Sequence, residues 1–104
     1  MDKFELKLTE THLRKSTLNG SNLAKVIGAP LGFSFDQLNN GERATFKAWI
    51  EPHTATALTF YKPKSKSERR FSIKGLSQRA RAGQTLQIWL DPNRISRQIR
   101  IEII

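Results

Sequence analysis

Residues 59–90 read TFYKPKSKSERRFSIKGLSQRARAGQTLQIWL. The stretch opens on an apolar, strand-like run and closes on another, with FSI alternation between them. The segment Tyr61–Arg70 carries five cations, one acid, two serines and a proline, and almost nothing fit for burial. Hydrophobic period-two runs on both sides predict paired strands joined by a long, basic hairpin loop.

Working outward, the same period recurs along the chain. In KFELKLT, Phe4, Leu6 and Leu8 face one way and Lys3, Glu5 and Lys7 the other. RATFKAWIE sets Ala44, Phe46, Ala48 and Ile50 against Thr45, Lys47, Trp49 and Glu51. Leu58 with Phe60, Phe71 with Ile73, and Leu86, Ile88 and Leu90 form further inward sets, and Ile99, Ile101 and Ile103 close the chain. Turn chemistry separates these runs at Asn39-Asn40-Gly41, Pro52-His53-Thr54 and Asp91-Pro92-Asn93. A short helix is predicted from Ser21, as its cap, to Ile27, stopped by Gly28 and Pro30; one or two helical turns are predicted over Leu76–Ala82, ending at Gly83. The expected fold is mainly β: one domain over residues 1–104, a small open or closed barrel of six to seven strands with one or two short helices. Closure spares a sheet its adhesive edges.

Composition narrows the function classes. The chain has 104 residues, 38% hydrophobic, enough for one modest core. No apolar run approaches the ~18 residues of a membrane span, and MDKFELKLTE has no signal-peptide core. The absence of cysteine removes disulfides and thiolate metal sites and suggests an intracellular setting. Charge is uneven: residues 1–61 hold seven cations and six acids, whereas residues 62–104 hold eleven cations and three acids. Such clustering predicts a polyanionic partner. A membrane surface fits poorly, because no segment forms a long basic amphipathic helix.

Catalytic signals are weak. His12 and His53 are far apart in sequence and have no Cys, Asp or Glu cluster nearby, so neither a metal site nor another cofactor is expected. Glu5-x-Lys7 has the spacing of a nuclease fragment, but amphipathic strands produce such triplets by chance. Two basic segments remain. The loop supplies Lys62, Lys64, Ser65, Lys66, Ser67, Arg69 and Arg70, with Lys74, Arg79 and Arg81 following as flanking cations. In an extended loop Lys62, Lys64 and Lys66 share one side. The second segment follows the first strand and supplies Thr11, His12, Arg14, Lys15 and Ser16 as a polar connection, after which Thr17–Asn22 is turn-like. Arginine forks grip phosphates and guanine edges, lysines act as point charges, and a hairpin loop fits a major groove about 12 Å wide. Trp49, Phe60, Phe71 and Trp89 are expected in the core or barrel wall.

In element order the chain resembles the DNA-binding pseudobarrel family, represented by plant B-three transcription-factor domains and effector-binding domains of certain restriction endonucleases. The likeness is carried by LTETHLRKS, similar to that family's first strand and N-terminal arm, and by the residue 59–90 stretch, similar to its C-terminal arm and following strands. The chain has Leu76 where the family usually has Trp, and Gly83-Gln84 in place of Gly-Asp. The resemblance implies a non-enzymatic domain that grips the major groove of double-stranded DNA with arms at residues 9–16 and 61–70. Arg14, Arg69 and Arg70 would then make the close contacts and the lysines would position the duplex. The alternatives are an RNA or single-strand binder on a similar barrel, a motif-poor ribonuclease, and a basic protein-interaction module.

Overall fold

Alternating burial sorts the chain into seven strands: β1 (Phe4–Lys7), β2 (Leu18–Asn19), β3 (Arg43–Ile50), β4 (Thr54–Tyr61), β5 (Arg70–Ile73), β6 (Thr85–Leu90) and β7 (Ile99–Ile103). The computed structural model describes residues 2–15, 17–64, 68–91 and 98–104. All seven strands belong to one mixed sheet in the order β1-β6-β7-β3-β4-β5-β2. Neighbours are antiparallel except β3 and β7, which run parallel.

The sheet curls into a half-barrel around one core. Phe4 on β1 meets Phe71 on β5 edge-on, with ring centroids 5.7 Å apart, although four strands of the sheet order separate them. The predicted inward residues Leu58, Phe60, Phe71, Ile73, Leu86, Ile88, Ile99 and Ile101 are all buried. Phe60 takes the centre: Phe33 stacks on it at 4.3 Å, Phe35 meets it edge-on at 5.4 Å and Phe46 at 6.1 Å. The curl stops short of closure, because β1 pairs only with β6 and β2 only with β5 among the described residues. Both edges are short, four and two residues, which limits the ladder they expose.

Several predicted boundaries move. Residues 10–15, expected as an irregular connection, form helix α1 (Glu10–Lys15). The Thr9 hydroxyl accepts the His12 N–H (3.2 Å) and His12 Nδ1 accepts the Thr9 N–H (3.1 Å), a reciprocal cap with His in the place of the usual Glu or Gln. Residues 17–22, expected as a turn, contain β2. The helix expected at Ser21 is present as α2 (Ser21–Leu23), but Gly20 occupies the cap position and the Ser21 N–H donates to Asn19 Oδ1 (3.0 Å). Neither Gly28 nor Pro30 stops it. The helix widens into a π turn (Ala24–Gly28), and α3 (Ala29–Leu31) continues it with Pro30 near its start. Gly32, at φ +73°, ends it. A 3₁₀ turn (Phe35–Gln37) then sets Phe35 against Phe60. The later helix, α4 (Leu76–Arg79), is a single turn that ends as Ala80 becomes extended, ahead of Gly83.

The expected hairpin at Pro52-His53-Thr54 joins β3 to β4, and the Asn39–Gly41 turn places Gly41 at φ +89°. At the third predicted turn, the Asp91 N–H donates to the Gln98 carbonyl (3.0 Å), while Pro92, Asn93 and also Arg97 lie outside the described residues. Among the described residues no helix is long and apolar enough to cross a membrane.

Because Phe60 is fully buried and contacts three other rings, Phe60→Ala is expected to lower stability by about 3–5 kcal/mol. Urea denaturation followed by circular dichroism measures this; a loss below ~1 kcal/mol would remove Phe60 from the centre of the core.

Candidate nucleic-acid interface

The two basic segments are 45 or more residues apart in sequence, yet a two-residue strand brings them together. Leu18 pairs with Phe71 and Asn19 with Arg70, and the Gly20 N–H donates to the Arg69 carbonyl at 2.7 Å. The chain leaving α1 is thereby fastened to the base of the β4–β5 loop. Between them lies a cleft of about 720 Å³, lined by Lys15, Thr17 and Asn19 on one side and Glu68, Arg69 and Arg70 on the other.

Within this cleft the arginines are held rather than loose. Arg70 Nε donates to Glu68 Oε2 (2.6 Å), its Nη2 ion-pairs with the same oxygen, and its Nη1 reaches Thr17 Oγ1 at 3.5 Å. The Arg69 guanidinium lies over the Phe35 ring at 5.9 Å, and its Nη1 donates to the Glu68 carbonyl at 3.4 Å. A planar fork fixed by partners loses less freedom on meeting a phosphate.

The other expected residues fall in different surroundings. Lys62 and Lys64 do share a side, but it faces the 38–42 turn. Lys62 Nζ donates to the Leu38 carbonyl (3.2 Å), and the Lys64 side chain covers Gly41, where an added Cβ would meet it at 2.9 Å. Lys62 is therefore a strut for the loop's base, whereas Lys64 is exposed. Ser16, Ser65, Lys66 and Ser67 lie outside the described residues. Thr11 and Arg14 are exposed on α1, outside the lining of the cleft shared by Lys15, Arg69 and Arg70. His12 is half-buried and lines a groove of about 330 Å³ with Thr59, Ser72 and Lys74. Arg79 lies with Lys74 in a third hollow, and Arg81 belongs to the turn in which the Gly83 N–H donates to the Leu8 carbonyl.

The sheet face beside these segments went unnoticed in the sequence. The outward residues of β3, β4 and β5 line up as rungs: Arg43–Tyr61–Arg70, then Thr45–Thr59–Ser72, then Lys47–Ala57, then Trp49–Ala55. The Lys74 N–H donates to the Ala57 carbonyl, which brings a second cation beside the third rung. Arg43 lies over Tyr61 at 4.5 Å, and the Thr45 and Thr59 hydroxyls bond at 3.0 Å. None of these outward strand positions is acidic. The alternation that marks Phe46 and Phe60 as inward marks Arg43, Thr45, Lys47, Thr59 and Tyr61 as outward; only the strand pairing shows that they adjoin.

The opposite half of the sheet has another character. Glu5, Gln87 and Glu102 form one rung on β1, β6 and β7, with Gln87 Nε2 donating to Glu5 Oε1 (2.9 Å). Arg100 is neutralised there by Glu51, through Nε at 2.6 Å and through Nη2. Trp89 is covered by Lys3, 4.2 Å from its ring. Phe60 and Phe71 are buried in the core, and Trp49 and Trp89 lie in the wall strands β3 and β6, half-exposed on the outer face. Arg43, Lys47 and Lys74 thus lie on or beside the outer face of β3–β4–β5, and the Glu5–Gln87–Glu102 rung lies on the other half.

Among the described residues no three His, Cys, Asp or Glu side chains converge as a metal site. Comparison with family models, curated proteins and solved structures finds no match.

The alignment of the two segments depends on Gly20, where an added Cβ would lie 3.0 Å from both the Arg70 carbonyl carbon and Phe35 Cζ. Gly20→Val is expected to push β2 off β5 at a cost of about 1–3 kcal/mol. A thermal melt together with loss of hydrogen-exchange protection at the Gly20 N–H measures it; unchanged protection would show that the contact yields without cost.

Proposed function

We propose that the chain is a non-enzymatic domain that binds double-stranded DNA inside the cell, with its two basic segments meeting at one groove of the duplex. The observation that carries this reading is the cleft shared by Lys15, Arg69 and Arg70, two sequence-distant basic segments joined by the β2–β5 pairing. The acid-free outer face of β3–β4–β5 adds Arg43, Lys47 and Lys74, with a rung of hydroxyls suited to phosphate oxygens. The resemblance in element order to DNA-binding pseudobarrels supports the same reading. On this account the N-terminal segment presents the exposed Thr11, Arg14 and Lys15 from a short helix. Arg69 and Arg70 make the close contacts, and Lys64 adds sequence-independent charge.

Counterion release sets the first test. Duplex affinity is expected to fall with salt at a log–log slope of about −0.9 per phosphate neutralised. Arg69→Ala or Arg70→Ala is expected to cost about 1–3 kcal/mol at a preferred site, and Lys64→Ala to weaken all duplexes alike. Fluorescence anisotropy with labelled duplex, single-stranded DNA and RNA measures these effects. Equal or tighter binding of single strands or RNA would replace the proposal with the second reading, and RNA cleavage lost in His12→Ala would replace it with a ribonuclease.

A further inference from the structure

At the far end of β3 and β4 from the Arg43–Tyr61 rung lies a hollow of about 680 Å³ that shares Lys47 and Lys74 with the duplex reading and adds Trp49 and Arg79. Ala55 and Tyr61 are six residues apart on β4, which sets this hollow about 20 Å from the base of the loop. One wall is Trp49, half-exposed, with the small Ala55 beside it on β4 and Arg100 beside it on β7. Opposite stands Gly75, at φ +78°, with no side chain to fill the space. Lys47, Lys74 and Arg79 line the rim, all exposed, and among the described residues none has an acidic partner. Trp49 contrasts with Trp89, whose ring is already occupied by Lys3.

A half-exposed indole beside three cations, in a cavity within the usual ligand-site range of about 300–1,000 Å³, selects a ligand that is both planar and anionic. A lone phosphate leaves the indole unused, and a paired base presents no face to stack. We infer that this hollow binds an unpaired nucleotide, its base stacked on Trp49 and its phosphate held by Lys47, Lys74 and Arg79. Stacking on an aromatic side chain tolerates every base, so the site discriminates paired from unpaired rather than one base from another. The nucleotide comes either free or from a single-stranded stretch of nucleic acid. The inference is separable from duplex binding at the cleft of Lys15, Arg69 and Arg70, because none of these residues lines it and Trp49 and Arg79 take no part in the duplex reading.

The test uses Trp49 as its own reporter. In Trp89→Phe, intrinsic fluorescence is titrated at low ionic strength with adenosine monophosphate, with a ten-nucleotide thymidine strand and with inorganic phosphate. In the unsubstituted protein the indole N–H resonance of Trp49 is followed by NMR, so the result does not depend on a variant folding. Saturable quenching and a shifted Trp49 indole signal are expected with the mononucleotide, which identifies the free source, or with the strand only, which identifies the strand source. Lys47→Ala or Arg79→Ala should weaken binding several-fold and Trp49→Leu about tenfold, while Arg69→Ala leaves it unchanged. The inference is overturned if neither nucleotide ligand saturates, if inorganic phosphate shifts the Trp49 signal as strongly, or if Arg69→Ala abolishes the effect.

Discussion

The stacking of Phe33 on Phe60 is the contact on which the architecture turns. It draws the helical segment and 3₁₀ turn between β2 and β3 onto the inner face of β4, with Phe35 and Phe46 closing around the same ring. A sheet covered on one face by its own curl and by these aromatic rings has no further apolar material for the other. The outward side chains of β3, β4 and β5 are therefore left to solvent and to partners. Their chemistry is consequently a matter of charge and hydroxyls, with Tyr61 and Trp49 as the aromatic exceptions.

This division explains how so small a chain concentrates charge. Alternation assigns each strand residue to core or surface, and the strand order then decides which surface residues become neighbours. Because β4 lies between β3 and β5, Arg43, Tyr61 and Arg70 meet on one rung despite their separation in sequence. Because β6 lies between β1 and β7, Glu5 and Glu102 meet on another, away from the basic loop. In the proposed duplex binding, this polarity would orient the polyanion toward the half that carries both basic segments.

Much of this was legible in the residues, and the remainder was hidden for identifiable reasons. Inward sets such as Leu58 with Phe60, or Leu86 with Ile88, are set by period-two alternation over several residues, and they came through. β2 was not legible, because two residues carry no period and Leu18–Asn19 is a strand only by virtue of β5 beside it. The α1 helix was missed because its cap uses His12 where Glu or Gln is the usual signal. The sequence shows the charge of Lys62 but not the Leu38 carbonyl to which its ammonium donates. Trp49 lies in a wall strand, as its alternation implies, and only the strand pairing shows that its β4 neighbour is the small Ala55.

The account centres on one surface: the cleft of Lys15, Arg69 and Arg70 together with the rungs of β3, β4 and β5. Mapping backbone amide shifts by NMR during titration with an unlabelled duplex addresses it most directly. Shifts are expected to concentrate at Lys15, Thr17, Asn19, Arg69 and Arg70 and to extend to Thr59 and Ser72, with Glu5, Gln87 and Glu102 unmoved. Shifts centred on that acidic rung, or none at low ionic strength, would contradict it.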